Sequence, residues 1–154
     1  MFIKPMCVVP VGRDESDKTI WEQRYNEMAW EDEKIIILIQ PGFQTDFCSV
    51  PRIPWVYAKY GDRAHHEGEL HDYTYRKDCR IFLKNEGRWQ IGMSRDEADD
   101  LFLRAMLSRG HGKHIAYPMW IAVRSLGWLH YGKLSITHKF KLSVTFPETA
   151  ECDA

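Results

Sequence analysis

Five consecutive aliphatic residues, Ile35 to Ile39 (IIILI), constrain this chain more than any other stretch. The run is β-branched and continuous, so it predicts a buried strand, and Pro41-Gly42 ends it. Thr19 to Tyr25 (TIWEQRY) alternates apolar with polar residues and predicts a strand before it, with Glu31-Asp32-Glu33 as the turn between the two. Residues 2–11 read as a further short apolar strand, followed by a charged loop from Gly12 to Lys18.

The remaining signals are largely helical. Asp62 is placed to N-cap a helix from Arg63 to about Arg76. Residues 80–92 predict a hairpin turning at Asn85-Glu86-Gly87. Ser94-Arg95-Asp96-Glu97 is an S-x-x-E capping box, after which Ala98, Leu101, Phe102, Ala105 and Met106 keep helical period as far as a Gly110 stop. A last helix is expected over Ile115 to Leu129, with Pro118 in its first turn. Leu134 to Phe146 then alternates almost perfectly for thirteen residues, about 43 Å at roughly 3.3 Å each. That is long enough to bend into a hairpin-like pair or to project as an arm. With no internal repeats, the chain is expected to be α+β and one domain over residues 1–154. N-terminal antiparallel strands, a three-helix core, an inserted hairpin, a C-terminal strand over 133–146 and a flexible tail over 147–154 make it up.

Composition narrows the classes. Lys and Arg total 21 against 22 Asp and Glu, a net charge of −1, which argues against a strongly basic nucleic-acid binder. Cys7, Cys48, Cys79 and Cys152 form no CxxC pair, so neither a zinc knuckle nor a dense disulfide framework is expected, and reduced thiols are. The apolar N-terminal run is too short for a signal peptide and no segment reaches the roughly 20 residues of a membrane span, so synthesis in the cytoplasm is expected.

The densest cluster of titratable groups is His65-His66-Glu67-Gly68-Glu69-Leu70-His71-Asp72-Tyr73-Thr74-Tyr75. On a helix, Ala64, Gly68, His71 and Tyr75 share a stripe, and Gly68 admits a close neighbour. On the capped helix, Arg95, Asp99, Phe102 and Met106 form a matching stripe, so Asp99 is expected to be semi-buried and to need a counter-charge. Arg95 one turn earlier and His71 on the other helix are the two candidates. A carboxylate that orients an imidazole makes a general base or a metal ligand, although buried His–Asp pairs also serve simply to fix helix packing. Asp46 in the loop Thr45-Asp46-Phe47-Cys48-Ser49-Val50-Pro51-Arg52 is a second carboxylate for the cluster, or a turn residue with Ser49, and Arg52 is a candidate anion contact. The histidine spacings of five and six residues, His66 and His65 to His71, do not fit the i, i+4 pair of HExxH metalloproteases. Five histidines within 50 residues (His65, His66, His71, His111, His114) keep a metal site open.

Four motifs in order resemble a phage and prophage family classed as domain of unknown function 1353. They are Gly42-Phe43-Gln44-Thr45-Asp46-Phe47 with Ser49-Val50-Pro51-Arg52; His71-Asp72-Tyr73 with Tyr75; Arg95, Ala98-Asp99, Phe102 and Met106; and Ala122-Val123-Arg124 with Gly127. The resemblance covers about residues 20–131 and implies a phage source without a mechanism. This chain departs from it by a longer segment between Tyr75 and Arg95 and by the C-terminal strand. HDxxY on one helix with an Asp on the next is also similar to the secreted phospholipases A2. That similarity implies His71 activating water, Asp72 helping to bind calcium and Asp99 orienting His71. The Gly-rich calcium loop and flanking cysteines of those enzymes are missing here.

Two functions follow as expectations. One is a small metal-assisted hydrolase aimed at the host cell envelope. His71, Asp99 and Asp46 would be catalytic; Asp72, His66 and Glu67 would hold a divalent cation (zinc or calcium); Thr45, Ser49, Arg52, Tyr75 and Arg95 would bind. The other is a non-catalytic virion component of tail, neck or baseplate, with the His/Asp network holding helices and the C-terminal strand pairing with other phage proteins or a second copy. An inhibitor of a host defence protein is a third.

Overall fold

The computed structural model describes residues 1–15, 17, 19–47, 64–129 and 131–132. Among them are eight strands in antiparallel sheets and three helices, an α+β arrangement. The strands are β1 (Phe2–Lys4), β2 (Val8–Arg13), β3 (Thr19–Gln23), β4 (Met28–Glu31), β5 (Ile35–Ile39), β6 (Gln44–Thr45), β7 (Arg80–Leu83) and β8 (Arg88–Ile91). The helices are α1 (His65–Thr74), α2 (Arg95–Ser108) and α3 (Lys113–Leu126), followed by one 3-10 turn, Gly127–Leu129. No helix among the described residues is long and apolar enough to cross a membrane.

The IIILI run is the central strand of a five-stranded sheet ordered β1-β4-β5-β7-β8. Ile35, Ile37 and Ile39 are buried, and Ile37 stands in one cross-strand row with Trp30 of β4 and Ile81 of β7. The Asn85-Glu86-Gly87 hairpin is realised as β7–β8 and extends this sheet through β5. A smaller sheet, β2-β3-β6, carries Thr45 as the register partner of Trp21.

Three local expectations shift. Between TIWEQ and IIILI the chain forms an additional strand, β4, whose Met28, Ala29 and Trp30 are all buried. Buried on both faces, it lacks the alternation that reveals a strand in sequence. Strand β2 continues through Gly12 and Arg13, which were expected in the charged loop, with a register shift between Pro10 and Gly12. Helix α3 begins at Lys113 and ends at Leu126, so Pro118 lies in its second turn, where it removes the N–H that would reach the His114 carbonyl. Asp62, Ser49, Arg52, the strand expected over 133–146 and the tail over 147–154 lie outside the described residues.

Helix α2 has two apolar sides, as its period requires. Leu101 and Ala105 enter the core formed by the large sheet and Leu70 of α1, whereas Phe102 and Met106 pack with Ile115, Met119 and Val123 of α3. The helix starts with both halves of the Ser94/Glu97 capping box in place. It ends with Gly110 at φ +85° and the His111 N–H bonded to the Met106 carbonyl, a reversal that only a left-handed residue permits cheaply.

Candidate functional site

Helix α1 is unusual for its burial. Seven of its ten residues are buried, and five of those seven, Glu67, Glu69, His71, Asp72 and Thr74, are polar or charged. Such residues stay inside only where partners or protons neutralise them, so each has to be accounted for.

His71 and Asp99 meet between α1 and α2, with Nε2 of His71 3.1 Å from Oδ1 of Asp99 and neither side chain exposed. The Tyr75 hydroxyl donates to the same oxygen at 2.5 Å. An ionised carboxylate only accepts, so the hydrogen of His71 sits on Nε2, and neutral imidazole then has its lone pair on Nδ1. That Nδ1 is buried and has no hydrogen-bond partner among the described residues. Burial drives the His71 pKa down and Asp99 only partly restores it, leaving it below the ordinary 6.5. For Asp99, burial pushes upward but the hydrogen bonds from His71 and Tyr75, together with the charges of His71 and Arg124, outweigh it, and the carboxyl titrates below its usual range. The resting pair is therefore neutral imidazole against carboxylate.

The other oxygen of Asp99 faces α3, where Nη1 of Arg124 stands 3.5 Å from Oδ2. Of the two counter-groups read from the sequence, His71 takes the role. Arg95 instead contacts Asp96 at 3.3 Å and the Arg124 carbonyl at 3.3 Å. Arg124 was legible only as part of the AVRxxG motif, with no charge partner indicated. Asp99 is the carboxylate bonded to His71; Asp46 lies half-buried in the turn after β6.

That turn docks the small sheet on α1. The Thr45 hydroxyl donates to Oδ2 of buried Asp72 and accepts the Phe47 N–H at 3.0 Å. Phe47 is left-handed at φ +53°, and its ring reaches 3.7 Å from where a Cβ on Gly68 would stand. The close neighbour that Gly68 admits is thus an aromatic side chain.

His66, Glu67 and Asp72 go to different surroundings. Glu67 pairs with His111 at 3.0 Å and Arg109 at 3.6 Å, while burial raises its pKa. His66 packs edge-on against Phe2, and burial holds its pKa at about 4. Among the described residues no group of three His, Cys, Asp or Glu side chains converges to hold a metal. Glu69, which the sequence did not single out, is fully buried, and neither of its carboxylate oxygens has a hydrogen-bond partner among the described residues. Burial, and then the charge of Asp72, push its pKa up to about 8, so it is protonated at neutral pH.

The network spans β6, α1, α2 and α3, and a family model spans nearly the same stretch. Residues 23–123 match the model of a protein family of unknown function, DUF1353. The chain belongs to the DUF1353 family. The matched residues of this DUF1353 member include Thr45, His71, Asp72, Tyr75 and Asp99, and end one residue before Arg124. No protein of established annotation and no solved structure is significantly similar to it.

Proposed function

We propose that this DUF1353 protein is a small hydrolase in which Nδ1 of His71 is the general base. One observation carries the reading: Nε2 is fully engaged by Asp99, yet the buried Nδ1 has no partner among the described residues. A pair serving helix packing alone would leave that nitrogen as an uncompensated cost, since buried polar atoms are nearly always bonded. A water at Nδ1 would give its proton to the imidazole as its oxygen attacks an acyl carbonyl, and the imidazolium would pass that proton to the alcohol leaving group as the ester C–O bond breaks. Asp99 would stabilise the imidazolium through Nε2–H, and Tyr75 would hold Asp99 in place. The low His71 pKa keeps the base unprotonated at neutral pH. The likeness to secreted phospholipases A2 supports an ester substrate, and a phage setting would direct the activity at the host cell envelope.

Full burial of His71, Asp72 and Asp99 favours a second reading, a non-catalytic virion or assembly component whose network locks the helices. A panel of acyl esters, assayed with and without calcium or zinc, separates the two. The hydrolase reading expects turnover that His71→Gln lowers by about 10²-fold or more. It also expects the rate to fall only as pH drops below the ordinary histidine value of 6.5. A folded protein with no turnover on any ester would leave the structural reading standing.

A further inference from the structure

Whether His71 presents a lone pair or a proton at Nδ1 depends on what else holds Asp99, and two residues of the α3 end bear on that. Arg124 is fixed by several contacts. Its Nη1 donates to the Asp96 carbonyl at 2.9 Å and lies 3.0 Å from the Asp96 carboxylate, while Nη2 is 3.6 Å from Asp100. Its guanidinium lies over the Trp120 ring, 5.6 Å from the centroid. Held this way, it keeps Nη1 at 3.5 Å from Oδ2 of Asp99, the oxygen that His71 and Tyr75 do not use.

Gly127 closes the helix beside Tyr75. A Cβ on Gly127 would stand 2.0 Å from the Tyr75 hydroxyl oxygen and 3.1 Å from Cζ, so no side chain fits while that hydroxyl stays where it is. The ring has little freedom to yield. Tyr131 packs edge-on against it at 5.5 Å, and the Tyr131 N–H is itself bonded to the Gly127 carbonyl at 2.9 Å. The Tyr131 hydroxyl is anchored in turn on the Met93 carbonyl at 2.7 Å.

We propose that Arg124 and Gly127 are positioning residues for His71: Arg124 supplies the counter-charge of Asp99, so that the carboxylate needs no imidazolium opposite it, and Gly127 leaves the space from which Tyr75 holds the same carboxylate. The titratable groups at Asp99 are His71 of α1, Tyr75 just past the end of α1 and Arg124 of α3, and Arg124 in turn carries Asp96 and Asp100. Among the described residues Arg124 is the cation paired with Oδ2 of Asp99. Without it, Asp99 would draw a proton onto Nδ1 and the lone pair would be lost. The inference rests on the hydrolase reading for its functional consequence, but its content is the protonation and tautomer of one imidazole, which are measurable without any substrate.

The test is a pH series of long-range proton–nitrogen NMR correlations on the full chain labelled with nitrogen-15, His71 being assigned by His71→Gln. Wild type is expected in the Nε2–H tautomer and neutral at pH 7. Arg124→Gln should move the His71 midpoint up by about one pH unit or more, and Arg124→Lys should return it most of the way. Gly127→Ala should lower the melting temperature in the wild-type background and much less in Tyr75→Phe, where the clashing oxygen is gone. An unchanged His71 midpoint in Arg124→Gln overturns the role of Arg124. An equal loss from Gly127→Ala in both backgrounds overturns that of Gly127. Should the NMR shifts occur as expected while ester turnover is absent or indifferent to them, the hydrolase reading fails and the positioning roles stand.

Discussion

Tyr75 stands one helical turn beyond His71, their ring centroids 4.0 Å apart, and the two side chains share a single acceptor, Oδ1 of Asp99. The shared oxygen makes the tyrosine a second restraint on the carboxylate that orients the histidine. Tyr75→Phe should therefore do two things. It should cost about 2 kcal/mol of stability, the usual range for a buried hydrogen bond to a charged group, read by denaturant unfolding. It should also lower ester turnover without abolishing it, because Nε2 of His71 keeps its acceptor. A variant as stable as wild type would remove the restraint from the account.

Glu69 offers a pH test independent of function. Its folded pKa of about 8 lies above the ordinary 4.5, so between those values the unfolded chain binds fewer protons than the folded one. Stability should fall as pH rises through that window and level off above it, by a few kcal/mol in all. Glu69→Gln removes the titration. Its melting temperature should match wild type near pH 5 and exceed it near pH 9. Parallel curves for the two proteins would mean that Glu69 finds a cationic partner and ionises in place.

Glu67 makes a different kind of case, a buried carboxyl with two side-chain partners, the His111 ring and the Arg109 guanidinium. Removing the first with His111→Ala leaves, among the described residues, Arg109 at 3.6 Å. The expected loss is about 1–3 kcal/mol. In a double-mutant cycle, Glu67→Gln with His111→Ala should cost less than the two single changes added together, since no charge is then left stranded. Strict additivity would place the stabilisation elsewhere.

Much of the fold could be read from neighbouring residues. The Ser94/Glu97 box, the Asn85-Glu86-Gly87 turn and the Gly110 stop involve contacts within a few positions, and the structure realises each. Asp99 could be read as a semi-buried carboxylate in want of a partner because its stripe borders an apolar one; its full burial could not. By contrast, β4 escaped notice because Met28, Ala29 and Trp30 are buried together and show no alternation. Glu69 escaped it too, since an acidic residue in a charged helix reads as solvated until the layers around that helix are known.

The sequence by itself determined which side chains share a helix face, because a period of 3.6 residues is imposed by the backbone whatever lies outside it. It thereby put His71 with Tyr75 and Asp99 with Phe102. Only the tertiary structure decided whom those faces meet. His71 rather than Arg95 bonds Asp99, the Thr45 hydroxyl donates to Asp72, and Arg124 closes the far side of the Asp99 carboxylate. The reason is physical: burial and pairing of charges depend on how layers separated by 25 residues or more come together, and no local propensity encodes that choice.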